Sequence, residues 1–231
     1  MMIKVETAYL TDMPNDIINE YGLSKTLLTR RDTIYLKHVM KNIFLYGNEY
    51  ELEEKLEMLQ FKSLFKYIEF LTNKLRMIYK IPRNVLYDDV DIIVKTPRSH
   101  FIDNLELYKQ LNPLVVLDFD HTITNKRFHT LYNYLTNNNY KIIINSANPN
   151  QKAMENYLNK YNLSKPYKIY ANKGKKKKIV NLKAIAYSNI RKPIFFIDDE
   201  REYLEYGCLL LMYCYRYAKS GKMYNTTIFQ K

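Results

Sequence analysis

Apolar residues are spaced differently in the two halves of this chain. From Glu49 to Lys80 there is no Gly or Pro. Leu52, Leu56, Leu59, Leu64, Ile68, Leu71, Leu75 and Ile78 recur there mostly at three- and four-residue steps, the period of an amphipathic helix. Pro82 ends that pattern. Leu27 to Tyr46 reads as another helical region, so residues 1–110 are expected to form a helical N-terminal region whose apolar stripes bury against each other or against the second half.

After Leu114 short apolar runs replace the long stripes. Leu114–Leu117, Ile142–Ile144, Tyr167–Tyr170 and Ile194–Ile197 read as buried strands, and Leu209–Tyr215 as a last one. Helix patterns fall between them at Arg127–Leu135, Gln151–Tyr161 and Ile179–Ala186. Short strands alternating with helices predict a parallel sheet covered on both faces over residues 111–231. Ligands of such sheets bind beyond the carboxyl ends of the strands. Three expected strands end there in polar residues: Asp118 and Asp120 after the first, Ser146 after the second, Asp198 and Asp199 after the fourth.

Carboxylates gathered at one place repel each other and resist burial. A hard divalent cation resolves that conflict, and Mg2+ takes oxygen ligands of this kind. A carboxylate can also act as a nucleophile and become an aspartyl-phosphate. The motif Asp118-Phe119-Asp120-His121-Thr122, with Ser146 in Asn145-Ser146-Ala147, the run Lys173-Gly174-Lys175-Lys176-Lys177-Lys178, and Asp198-Asp199-Glu200, resembles the four motifs of the haloacid-dehalogenase (HAD) superfamily in order and spacing. The resemblance covers about Leu114 to Tyr217.

It implies a HAD-like three-layer Rossmannoid α/β fold and a phosphatase that uses Mg2+. Asp118 would be the nucleophile and a metal ligand. Asp120 would be the general acid/base and a ligand through its carbonyl. Ser146, with Asn145 and Thr122, would hold phosphate oxygens, and Asp198 and Asp199 would complete the metal shell. One lysine would neutralise the phosphoryl group. Five lie in the run, and Lys175, then Lys176, are favoured because they would start the helix entering Ile179. His121 is expected to support the motif rather than react. The intervals from Thr122 to Ser146 and from Ser146 to Asp198 are filled by the expected helices and strands, which leaves no room for the cap domain many HAD phosphatases carry. A capless site implies a macromolecular substrate.

Charge alters the choice of partner. The chain has 36 Lys+Arg against 24 Asp+Glu, a net charge of +12. The whole excess falls after Leu114, in the half that holds the acidic motifs. Positive potential steers phosphorylated or polyanionic partners, although a Lys-, Asn- and Tyr-rich composition also follows from AT-rich coding. A phosphoprotein substrate is expected first, with nucleic acid bound through the basic half as the alternative. A structural assembly protein on a HAD fold is a third reading. The long N-terminal region before a capless domain is similar to the 38K-type viral phosphatases of baculoviruses and nudiviruses, which implies a role in nucleocapsid assembly and association with virions. No apolar run approaches the roughly 20 residues that cross a bilayer, and the N-terminus has no apolar h-region. An intracellular site, cytoplasm or nucleus, is expected, with both cysteines reduced. Extended in one strand, Cys208 and Cys214 would lie about 20 Å apart, beyond disulfide reach.

Overall fold

The computed structural model describes residues 49–62, 66, 67, 70, 71, 73, 74 and 97–225. The expected helical region at Leu27–Tyr46 lies outside them. The chain divides into two units, Met1–Lys80 with Ile228–Lys231, and Ile81–Thr227.

In the first unit the expected long helix is interrupted. Helix α1 spans Glu49–Met58 and ends in a Schellman turn: the N–H of Phe61 bonds the Leu56 carbonyl and that of Gln60 bonds Glu57. Gln60 takes the left-handed conformation, φ 57°, that this turn requires. Nothing in the apolar spacing announces it, because Gln is an ordinary helix residue.

The second unit holds a six-stranded sheet: β1 Leu114–Leu117, β2 Lys141–Ser146, β3 Lys168–Ala171, β4 Ile194–Asp198, β5 Tyr213–Tyr217 and β6 Met223–Asn225. Their order across the sheet is β3-β2-β1-β4-β5-β6, parallel except for the last pair. The chain winds from β1 outward through β2 and β3, then returns past β1 to β4 and continues the other way. Loops leaving β1 and β4 therefore diverge and open a crevice at their carboxyl ends. Every residue of β1 and β4 is buried, consistent with strands covered on both faces.

Alternation along the strands assigns the two layers. Phe195, Tyr213 and Tyr215 share one face. Helix α2, Pro97–Leu107, packs there, with Phe101 edge-on to Tyr215 at 5.0 Å and to Phe195 at 5.7 Å. The Tyr213 hydroxyl donates to that of Tyr108 at 2.7 Å. This helix therefore packs with the sheet, within the unit Ile81–Thr227. Helix α3, His129–Asn137, joins α2 where Tyr134 and the following Tyr140 both donate to Glu106. On the opposite face Gly207 of α6, Arg201–Leu209, sits so close to Phe196 and Cys214 that a Cβ would come within 2.8 Å of both. Helix α5, Lys175–Ser188, shares that face, and α4, Gln151–Lys160, precedes β3. From Thr122 to Ser146 the chain forms short turns, α3 and β2; from Ser146 to Asp198 it forms α4, β3, α5 and β4. No further domain is inserted in either interval. Among the described residues no helix is long and apolar enough to cross a membrane.

The apolar run to Tyr215 is not one strand. Its first part ends α6, and Leu211 at φ 55° reverses the chain through another Schellman turn, Met212 N–H to Gly207 and Leu211 N–H to Cys208. Cys208 and Cys214 thus become neighbours rather than distant: burial and the adjoining Cys208 thiol push the Cys214 thiol up. Asn139 and Asn162 end α3 and α4 the same way at φ 60° and 52°. With five glycines in the chain, these turns use Asn, Gln and Leu where Gly is the usual residue. Substituting exposed Asn139 by Gly should leave stability unchanged or raise it by about 0.5 kcal/mol, whereas Asn139→Ile should lower it by about 1–2 kcal/mol, both read from denaturant midpoints.

Candidate functional site

Asp118 stands one residue beyond β1, still extended (φ −71°, ψ 158°), and its N–H continues the ladder to the Ile197 carbonyl at 2.9 Å. The chain then folds into a tight turn over Phe119–Ile123. Asp120 remains extended, and His121 adopts φ 61°, with its N–H donating to Thr124 Oγ1 at 2.8 Å. His tolerates that left-handed region better than most residues. Its side chain is exposed, so its part in the turn is played by the backbone. Phe119, between the two aspartates, packs edge-on against Tyr157 of α4 at 5.5 Å, and the Tyr157 hydroxyl donates to the Thr124 carbonyl at 2.9 Å. The turn is thereby buttressed on its inner side.

Lys178 is the centre of the cluster. Its Nζ donates to Asp118 Oδ1 at 2.6 Å and lies 2.8 Å from Asp198 Oδ2, all three side chains being buried. The second contact is a close ion pair, so the Asp198 Oδ2 charge is met by the same ammonium. The ammonium also sits 3.8 Å over the ring of Tyr203 in α6. Asp198 Oδ1 accepts from the Glu200 N–H at 3.0 Å. One ammonium thus serves two buried carboxylates, with half-buried Asp199 beside them.

The charge imbalance shows in the proton affinities. Burial raises the Asp118 carboxyl well above the usual range; Asp198 adds to the rise and Lys178 opposes it. Burial pushes Asp198 up to about 6 against the pull of Lys178. Burial works to lower Lys178, but the Asp198 and Asp118 carboxylates outweigh it and hold the ammonium above its ordinary value. Carboxylates that stay proton-hungry beside a buried ammonium have room for more positive charge. One carboxylate oxygen from each of Asp118, Asp198 and Asp199 lies within 4.8 Å of the others, a set that could hold a metal ion. An oxygen-only donor set suits a hard cation.

The other expected residues divide. Ser146, fully buried at the end of β2, donates to Asp120 Oδ2 at 3.2 Å and accepts from the Asn148 N–H at 3.1 Å, which brings β2 and the Asp118 turn together. Thr122 is buried with no hydrogen-bond partner for its hydroxyl, an orphan group at the turn. Asn145 does not face the site. Its Oδ1 accepts from Asn172 at 2.8 Å and its Nδ2 donates to the Lys178 carbonyl at 3.2 Å, so its amide serves the interior instead of a phosphate.

Neither Lys175 nor Lys176 reaches the carboxylates. Lys175 pairs at the surface with Glu202, and Lys176 is exposed. The first residue of a helix points away from a site that lies one turn further in. Stepping back four and seven residues from the buried stripe Leu182 and Ile185 lands on Lys178, a signal present in the sequence. Tyr203 and Arg216 were also missed. Arg216 lies opposite Asp198 in the β4–β5 register, and its Nε donates to the Asp199 carbonyl at 3.2 Å.

No protein-family model, curated protein or solved structure matches this chain.

Removing the shared ammonium should be costly. Lys178→Met is expected to lower stability by roughly 3–5 kcal/mol at pH 7.5, as in other broken buried pairs, while Lys176→Ala shifts it by less than about 0.5 kcal/mol. Asp198 titrates higher in the folded chain than its ordinary 3.8, so the folded state holds more protons between about 4 and 6. Stability from this group therefore falls as pH rises through that window, and the Lys178→Met deficit should shrink when unfolding is repeated at pH 5. Divalent-ion affinity should run the other way, weakening as pH drops through about 6, with proton release on binding measured by calorimetry in two buffers.

Proposed function

We propose that the protein is a Mg2+-dependent phosphatase of the HAD type, which hydrolyses phosphomonoesters on a macromolecular substrate, a phosphoprotein first, through an aspartyl-phosphate on Asp118. The observation that supports this most is the buried, cation-seeking group of Asp118, Asp198 and Asp199 at the crevice where the loops after β1 and β4 diverge. The donor set fits Mg2+, which Asp118, Asp198 and Asp199 would hold. Bound there, it would neutralise charge on the phosphoryl oxygens.

The chain's own residues divide the reaction between two aspartates. Lys178 holds Asp118 Oδ1, which leaves Oδ2 to attack phosphorus as the ester P–O bond breaks. Asp120, half-buried after the Asp118 strand end, gives a proton to the departing oxygen as general acid. It then takes a proton from the water that attacks the aspartyl-phosphate, whose P–O bond to Asp118 breaks to release phosphate. Ser146, already bonded to Asp120 Oδ2, is placed to turn its hydroxyl to a phosphate oxygen. The intervals from Thr122 to Asp198 hold no inserted domain, which supports a large substrate for this reading.

One observation favours nucleic acid as a second reading of the substrate. Arg216 stands beside Asp199. The turn after it, carrying exposed Lys219 and Lys222, is tied to the loop beyond the Asp118 turn by Asn125 donating to the Lys219 carbonyl and Arg127 to that of Ser220. Cations on that rim would track a phosphate backbone, with affinity falling steeply as salt rises.

Hydrolysis of a small aryl phosphate should require Mg2+ and fall by more than roughly a thousandfold in Asp118→Asn. Turnover that survives this substitution would sink the reading. Phosphopeptide and 3′- or 5′-phosphorylated oligonucleotide assayed side by side, each at low and moderate salt, decide between the two substrates.

A further inference from the structure

The polar residues behind the site form a device of their own. Asn172, immediately after β3, is 1% exposed, and every arm of its amide is engaged. Its Nδ2 is shared among Asn145 Oδ1 at 2.8 Å, the Ser146 carbonyl at 2.7 Å and the Tyr170 carbonyl at 3.1 Å. Its Oδ1 accepts from Asn181 of α5, and its backbone N–H bonds the Ser146 carbonyl at 3.0 Å. Asn145 carries the chain onward by donating to the carbonyl of Lys178. Two asparagines therefore link the ends of β2 and β3 to α5 at two points, Lys178 and Asn181, one turn apart on the helix.

We propose that Asn172 is a positioning residue for Lys178. Through Asn145 and Asn181 it sets the height and rotation of α5 against the sheet, so that the lysine ammonium lands between Asp118 and Asp198. Leu, Ile and Ala contacts along α5 supply burial but not register, since apolar packing tolerates small slides. Directional bonds from the buried amides of Asn145 and Asn172 do not, because an amide left without its partner in the interior is costly. Asn172 also holds the carbonyl of Ser146, through both its Nδ2 and its backbone N–H, so the serine and the lysine are located by one residue.

The structural part of this inference stands without the phosphatase reading; its kinetic part rests on it. The test is residue-resolved acetylation of lysines in the full chain, read by mass spectrometry, on Asn172→Ala and Asn145→Ala. Asn139→Ile, destabilised at a distance, serves as control. In the parent protein buried Lys178 should stay protected while Lys176 and Lys177 react. Loss of the amide bonds should raise Lys178 labelling about tenfold or more in either asparagine variant. Lys176 and Lys177 should label unchanged, and the control should leave Lys178 protected. If the parent protein turns over an aryl phosphate, Asn172→Ala should lower kcat about tenfold or more with KM within about twofold, since a small misplacement of a charged group suffices for that loss. Absence of turnover in the parent protein would count against the phosphatase and leave the labelling result to stand. Lys178 still protected in both folded variants would overturn the inference. So would failure of both variants to fold, because the amides would then hold the whole domain rather than one side chain.

Discussion

One buried ammonium shared by two buried carboxylates is the constraint around which this domain is arranged. Ion pairs removed from water gain little unless their remaining charges are also met. Here Lys178 meets Asp118 and Asp198, and Asp199 at the rim makes the deficit of positive charge larger. The cluster lies at the carboxyl ends of β1 and β4, with half-buried Asp199 beside three buried charges. A domain selected for stability alone would have little use for it, as apolar residues of like volume serve a core as well or better. The arrangement leaves room for a further cation.

The fold delivers that cluster by ordinary means. A parallel sheet that changes winding direction between β1 and β4 sends the loops at their carboxyl ends apart. Asp118 and Asp198 fall at those two ends. Lys178 comes from the helix on the face to which Asp198 points, one turn inside its start, and its height is set by amides from β2 and β3. Aromatic packing does the rest: Tyr203 lies under the ammonium and Tyr157 supports the Asp118 turn. Helix α2 closes the far face through Phe101.

Much of this was legible in the residues. The strands β1 to β4 and their intervening helices follow from apolar runs of the right length, and the polar residues at strand ends mark the crevice. What was not legible had local causes. Leu211 and Gln60 sit in left-handed turns that neither residue advertises, so an apolar run was read through a chain reversal and a helix through its end. Helix α2 begins with Pro97, a good first residue for a helix, but its buried residues Phe101 and Leu105, with Tyr108 just past its end, show their purpose only against the sheet. In the lysine run, charge hid position. All five lysines look alike by composition, and the helical step back from Leu182 distinguishes Lys178 from the rest. Asn145 adjoins Ser146 in sequence, but strand alternation turns its amide to Asn172 and the Lys178 carbonyl.

The most direct test of this account is anomalous diffraction from crystals grown with Mn2+ in place of Mg2+. The account predicts one strong peak in contact with carboxylate oxygens of Asp118, Asp198 and Asp199, with Lys178 still bonded to Asp118. A peak elsewhere, or none at a Mn2+ concentration that saturates binding in solution, would contradict it.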